Sequence, residues 1–253
     1  MAEALLTGLL DHAVCTPDDV TVVEISAARS AELARLFPGV AVVDEPSACE
    51  GLVLATKPND ATHALGKAAA AGVSRVLSIA AGVSLHRLEG AAGHGVPVVR
   101  AMPNTPALVG GGASAICGGS AAGESDLEWA ETLLGSVGIV ERVPERLMDA
   151  VTGLSGSGPA YVFLLAEALV EAGVAEGLPR DTATRLTEQT LLGSARLLSE
   201  GDSTAEQLRA AVTSPGGTTA AGLMALEQRA VRAAVMDAVA QATRRSAELD
   251  DTP

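Results

Sequence analysis

The sequence predicts an α/β domain with a parallel sheet over residues 1–145, followed by an all-helical domain over residues 146–253. Three observations carry this expectation. Short apolar runs alternate with helical patterns through the first part, as parallel strands covered on both faces do. Beyond about Val143 the strand-like runs stop and long helical patterns replace them. A chain of 253 residues, 48% of them apolar, is long enough for one or two packed domains.

The chain opens on a helical pattern over residues 1–13. A β-rich run at 20–25 follows, then a helix over 28–37 and an apolar run at 40–43. Further apolar runs at 51–55, 75–80 and 97–101 are separated by helical segments at 61–71 and 84–92. A doubly wound sheet ordinarily begins with a central strand, whose turn into the first helix makes a phosphate site. Here the helix comes first. In the second part, helices are expected at 159–176, 181–200, 204–212 and 218–249. Asp181 suits an N-cap, and Ser203 with Glu206 has the spacing of a capping box. The helix from Pro159 is apolar around most of its circumference, through Val162, Phe163, Leu164, Leu165, Ala168 and Leu169. Such a helix needs burial on several sides. A domain this small has little interior of its own, so a second subunit is expected to cover it.

Composition removes several function classes. Seventeen basic residues against 31 acidic ones give a net charge of −14. Lys57 and Lys67 are the only lysines, and nucleic acid and anionic membrane are poor partners for so acidic a surface, while a local basic spot still suits a small anion. The four aromatics Phe37, Trp129, Tyr161 and Phe163 are too few for base stacking. Cys15, Cys49 and Cys117 form neither a disulfide framework nor a zinc cluster, and fit a reducing, cytoplasmic setting. The apolar run at 161–175 holds Glu167 and Glu171 and is short for a membrane span. The N-terminus carries Glu3 and no early basic residue, unlike a secretory signal. His12, His63, His86 and His94 are scattered, with no metal-pair spacing. The helical part has no histidine at all. That excludes a Ser-His-Asp hydrolase there and points to chemistry whose hard step belongs to a cofactor.

Four segments are candidate sites. Residues 101–106, AMPNTP, end an apolar strand with two prolines that hold Asn104 in a stiff loop. Ligands of α/β sheets bind at such strand ends; a rigid turn is the equal alternative. Lys57, in ATKPN, also ends an apolar strand. Residues 152–159, TGLSGSGP, offer either an anion cradle at a helix start or close packing through glycine, and the glycines favour packing. Residues 212–219, VTSPGGTT, place hydroxyls and bare glycine backbone before a new helix, which suits a carboxylate. An ordinary capped turn is the alternative there.

Taken together these segments resemble the pyrroline-5-carboxylate reductase family over essentially the whole chain. The motifs are SIAAGV (78–83), RAMPNTPALV (100–109), TGLSGSGPAYVF (152–163), GLPR (177–180) and TSPGGTTAAGL (213–223). The resemblance implies a Rossmann-type first domain and an all-helical dimerisation domain, assembled as a homodimer and often a decamer. It implies reduction of a cyclic imine, 1-pyrroline-5-carboxylate, by NADPH or NADH to give L-proline. Thr56, Lys57, Pro58, Ala80 and Ala81 would lie along the cofactor, with Met102, Pro103 and Asn104 near its nicotinamide end. Ser214, Pro215, Gly216, Gly217, Thr218 and Thr219 would bind the substrate, at a site completed by the partner subunit. Glu145 and Thr152 match family positions near the substrate. Thr219 is the expected catalytic residue, hydrogen bonding at the ring nitrogen. No metal is implied.

Cofactor preference is open at the 20–25 run. Arg29, with Ser26 and Ser30, suits a 2′-phosphate, whereas Glu24 suits a free 2′-hydroxyl; NADPH is favoured. The resemblance departs at the start. In the family a strand and a Gly-x-Gly-x-Met-type loop precede the helix that reads ALLTGLL here, and Met1 stands where the loop methionine belongs. The expected reasons are a start assigned too far downstream or a truncated chain that binds cofactor weakly. Loss of that strand would expose the edges of its neighbours. Two other readings remain: a related enzyme acting on another cyclic imine or a 2-hydroxy acid, and a non-catalytic dimerisation protein.

Overall fold

A computed structural model describes residues 1–250. The strands are β1 (Thr21–Val23), β2 (Ala41–Val43), β3 (Leu52–Leu54), β4 (Val76–Ser78), β5 (Val98–Met102), β6 (Gly112–Gly118) and β7 (Gly138–Arg142). Helices α1 (Ala2–Asp11), α2 (Ala27–Leu36), α3 (Pro58–Ala71), α4 (Leu85–Ala92) and α5 (Glu124–Gly135) alternate with them. The chain continues through α6 (Met148–Val151), α7 (Gly158–Ala175), α8 (Arg180–Glu200), α9 (Ala205–Ala211), α10 (Thr218–Gln228) and α11 (Val231–Asp250). Two compact units result. One is Met1–Ser157 with the end of α11 from Gln241 to Asp250, and the other is Gly158–Ala240. The break in packing falls at 157/158, because the first turns after β7 pack with the α/β unit.

In the first unit, strands β3 to β7 form a five-stranded sheet in that order. β3, β4 and β5 run parallel, β6 is antiparallel to β5, and β7 is parallel to β6. The apolar runs read as parallel strands, through β5, do pair in parallel; β6 turns back antiparallel because the short link after β5 returns the chain directly instead of crossing over. β1 and β2 pair in parallel as a separate sheet. No described strand joins the two sheets, and Val23 on β1 is 43% exposed. Side-chain alternation sorts the core. Val76, Val98, Ala115 and Cys117 face α3 and α4, packing with Leu65 and Leu88. Leu77, Val99, Ala101 and Ile116 face the other way, with Leu5 of α1 and Leu134 of α5.

β6, α5 and β7 have no counterpart in the periodicity. β6 is GASAICG, mostly small residues between glycines, and α5 opens on the polar run ESD. Residues 152–159, read as an anion cradle or as close packing through glycine, hold a π turn at Thr152–Gly156, with Ser157 N–H donating to the Thr152 carbonyl at 2.8 Å, and the start of α7 at Gly158. The chain is therefore helical from Glu145 to Ala175, 31 residues, long and apolar enough by length and composition alone to cross a membrane. The expectation of too short a run, drawn from 161–175, is corrected on that point.

The second unit is α-helical throughout. No residue of α7 is buried within the single chain, and Phe163 is 60% exposed. Three local expectations shift. Asp181 lies in the first turn of α8 behind Pro179 at the N-cap. The capping box is Thr204 with Gln207, one residue on from Ser203 and Glu206, because Gln207 reaches back to the Thr204 N–H at 2.8 Å. The helix expected over 218–249 breaks at Arg229, where Ala230 takes a φ of +53°. The end of α11 belongs to the first unit. Ser246 donates to the Asp149 carboxylate at 2.7 Å, and Leu249 lies 3.4 Å from where a side chain on Gly82 would begin.

Candidate nucleotide and substrate sites

Because β3, β4 and β5 are parallel, their carboxyl ends share one edge of the sheet. That edge is where α/β sheets bind ligands. After β3 come Thr56, Lys57 and Pro58, all exposed. Lys57 is the N-cap of α3 and Pro58 its first residue, where a missing N–H costs nothing. After β4, the Ala80 N–H donates to the Ser78 hydroxyl at 3.4 Å, Ala81 is exposed, and Gly82 turns the chain with a φ of +67°. After β5 stand Met102, half-buried, then Pro103 and Asn104, both buried. Asn104 holds its neighbours: its oxygen accepts from Ala113 N–H at 2.9 Å, and its amide donates to the Ser155 carbonyl at 3.0 Å.

Glu145 lies behind this edge. One of its oxygens accepts from Leu85 N–H at 2.6 Å and from the Arg100 guanidinium at 3.1 Å. Arg100 projects from β5 and its side chain is only 8% exposed. The pair ties the start of α4, and so the Ala80–Ala81 turn, to the turn after β7. Cys117 is opposite Arg100 on β6. Burial pushes its thiol up to about 11; Arg100 pulls the other way and Glu145 adds to the rise. Thr152 donates its hydroxyl to the Met148 carbonyl at 2.9 Å, inside the helical turn. A side chain on Gly156 would begin 2.5 Å from Met102 Cε, so the turn lies against the end of β5. Arg100, Ser155 and Ala113 were not among the predicted residues. An arginine inside the apolar run VVRAM was the available signal for the first.

Past β1, Glu24 accepts from the Ser26 N–H at 2.8 Å, and the Ser30 hydroxyl donates to the Glu24 carbonyl. Arg29 is paired with Glu32 and Glu3, whose carboxylates hold its guanidinium more firmly charged. In this arrangement the acidic group sits on the turn and the basic one is already neutralised.

In the second unit, residues 213–219 form a turn and a helix start. Gly217 N–H donates to the Ser214 carbonyl at 3.1 Å, with Pro215 and Gly216 between them and Gly216 at a φ of +68°. Proline then a left-handed glycine is the pattern of a type II turn. Gly217 caps α10, so the N–H groups of Thr218, Thr219 and Ala220 precede the first helical hydrogen bond, from Ala221 to Gly217. Thr218 is exposed and Thr219 half-buried. Such a helix start, flanked by the Ser214 hydroxyl, binds carboxylates. The structure therefore gathers 56–58, 80–81, 102–104, Glu145 and Thr152 in one unit and 214–219 in the other. Among the described residues no cluster suits a metal ion.

Residues 145–249 match the family model for pyrroline-5-carboxylate reductase dimerisation. A pyrroline-5-carboxylate reductase of Synechocystis is 44% identical over 98% of this chain and 94% of its own length. One from Mycobacterium tuberculosis is 42% identical over 100% of this chain and 95% of its own. The chain belongs to the pyrroline-5-carboxylate reductase family. A reductase structure from Coxiella burnetii superimposes with a TM-score of 0.93 at 34% identity, covering 99% of this chain and 95% of that one. One from Plasmodium falciparum with NADP bound gives 0.83 at 30% identity, covering 98% and 94%. The first unit is accordingly a Rossmann-type domain. The matched dimerisation region includes α7, α10 and α11, which carry exposed apolar residues in the single chain, and it supports a homo-oligomer.

Proposed function

We propose that this chain reduces the C=N bond of 1-pyrroline-5-carboxylate with NADPH or NADH, giving L-proline in the last step of proline biosynthesis. The identity to curated reductases over nearly the full length is what carries the reading. The residues present fit a nucleotide: a parallel sheet edge, a lysine at the start of a 14-residue helix, and a small-residue turn at Ala80–Ala81. Bound NAD(P)H supplies the hydride. Thr56, Lys57 and Pro58 hold it with Ala80 and Ala81, and Met102 and Pro103 line its reacting end. Ser26 and Glu24 meet the ribose; Arg29 meets a 2′-phosphate only by leaving Glu3 and Glu32.

The free N–H groups at the start of α10 and the Ser214 hydroxyl grip the substrate carboxylate. Pro215, Gly216 and Gly217 shape the turn that presents them. Thr219 hydrogen bonds at the ring nitrogen, and Thr218 adds a hydroxyl beside it. Glu145 and Thr152 serve the site by holding it in shape. The gain in rate comes mainly from orientation of the two reactants. The enzyme works in the cytoplasm as dimers grouped into a decamer.

The test is NADPH and NADH oxidation by the purified chain with 1-pyrroline-5-carboxylate, six-membered cyclic imines and 2-oxo acids, with proline identified as product. Turnover confined to the five-membered imine, lost in Thr219→Val, supports the proposal. Preference for another imine moves the chain to a sister activity. A folded oligomer that oxidises neither cofactor with any of them refutes the proposal and favours a non-catalytic role.

A further inference from the structure

We propose that Asn104 is a positioning residue: its carboxamide clips the π turn Thr152–Gly156 onto the carboxyl edge of the sheet, and does not itself bind the cofactor. This inference rests on the reductase reading for its kinetic consequence but not for its structural one.

Asn104 is 8% exposed, and both arms of its amide are engaged within the protein. The oxygen takes the Ala113 N–H at the start of β6, and the NH₂ group reaches 51 residues along the chain to the Ser155 carbonyl. The Ser155 carbonyl needs an outside donor for a reason visible in the sequence. In an α-helix its partner is the N–H four residues on, and that residue is Pro159, which has none. The Asn104 amide supplies the donor the proline lacks.

The clipped turn bears directly on the sheet edge. Met102, two residues before Asn104, brings its Cε to 2.5 Å from where a side chain on Gly156 would begin. Within the turn, the Thr152 hydroxyl is bonded back to Met148 and the Ser155 hydroxyl to Val151 at 3.1 Å. Hydroxyls bonded back in this way compete with the helix and bend it. A π turn is the weaker helical geometry and recurs at functional sites. One buried amide thus joins the end of β5, the start of β6 and the turn that carries Thr152. Movement of that turn alters the surface offered to the reactants while the nucleotide grip at 56–58 and 80–81 stays in place.

The test compares Asn104→Ala and Asn104→Asp with the natural chain. Hydrogen exchange of the amides at 152–157 should quicken by about tenfold in Asn104→Ala, as expected for one lost buried hydrogen bond, while the core of β4 and β5 stays protected. The kcat for the imine should fall by about tenfold, with the NADPH dissociation constant changed by less than about twofold. Asn104→Asp adds a pH signature. Its carboxylate would face the Ser155 carbonyl, whereas its neutral acid can donate to it. Activity relative to the natural enzyme should therefore recover as pH falls in Asn104→Asp and stay flat in Asn104→Ala. Should Asn104→Ala not fold, the same measurements are made in a Pro159→Ala background, where a backbone N–H is restored and the loss should shrink.

Unchanged exchange at 152–157 overturns the clip. A rise in the NADPH dissociation constant matching the fall in kcat overturns positioning in favour of direct cofactor contact. An Asn104→Asp profile as flat as that of Asn104→Ala removes the donor role. If the natural chain does not reduce the imine, the function proposed above fails, while the exchange result still decides the clip.

Discussion

Truncation of Glu145 to alanine should destabilise the first unit through a residue it leaves behind. The carboxylate oxygen that bonds Arg100 and Leu85 N–H would be gone, and the Arg100 side chain is 8% exposed. Breaking a fully buried ion pair from one side costs about 3–5 kcal/mol. Glu145 itself is 38% exposed, so water replaces part of the lost interaction. About half the buried figure, ~2 kcal/mol, is therefore expected. For a chain of this size that lowers the midpoint of thermal unfolding by roughly 4–8 °C. Glu145→Gln keeps a neutral acceptor for both donors and should cost about half as much. Arg100→Met removes the charge with its solvation problem, and the double variant should be no worse than Glu145→Ala alone. The assay is circular dichroism melting at one fixed protein concentration, since assembly shifts the midpoint by mass action. A Glu145→Ala shift under about 1 °C, or strict additivity with Arg100→Met, would refute the reasoning.

Gly156→Ala should cost less than about 1 kcal/mol, because the one close atom is Met102 Cε, the free end of a flexible side chain that can swing aside; urea unfolding midpoints measure it, and a loss above about 2 kcal/mol would show that Met102 is held in place. Glu24→Gln should shift the NADPH-to-NADH ratio of kcat/KM towards NADPH by about tenfold, because the carboxylate on that turn repels a 2′-phosphate. An unchanged ratio would place the adenosine ribose elsewhere. The Cys117 thiol, at about 11 when folded against an ordinary 9.0, links stability to alkaline pH. Its folded value is raised, so its contribution is complete below pH 9 and is lost as pH rises towards 11. The loss approaches about 3 kcal/mol, and Cys117→Ala should flatten that part of the denaturation profile.

Elements with strong periodicity were legible in the sequence, from α1 through β5 and again in α7 to α9. Those whose identity depends on partners were not. β6 has almost no large side chains, and only pairing with β5 and β7 makes GASAICG a strand. The glycines at 153, 156 and 158 carried no helical periodicity, yet a π turn runs through the first two and α7 starts at the third, with the Asn104 amide bonded to the Ser155 carbonyl. At the candidate site, the turn at 214–217 and the helix start at Thr218 were legible because proline, glycine and threonine each demand a particular local geometry. The roles of Arg29, Glu145 and Asn104 were not, since each depends on a partner at least 26 residues away: Glu3, Arg100 and Ser155. Side-chain type marks a residue as capable of a contact; only the fold says whether that capacity is already used.

The return of α11 to the first unit has a consequence for how the chain is made. Ser246 meets Asp149 across 97 residues, and Leu249 reaches the turn at Gly82. During synthesis, β1 to β7 leave the ribosome long before those last residues do. The nucleotide half therefore waits, with the Gly82 turn unbraced, until the helical half has emerged and the final turns of α11 can dock. Docking of α11 on the Gly82 turn can come only after the helical half has been made, and a tail lost to premature termination would be felt at the sheet edge more than 160 residues upstream.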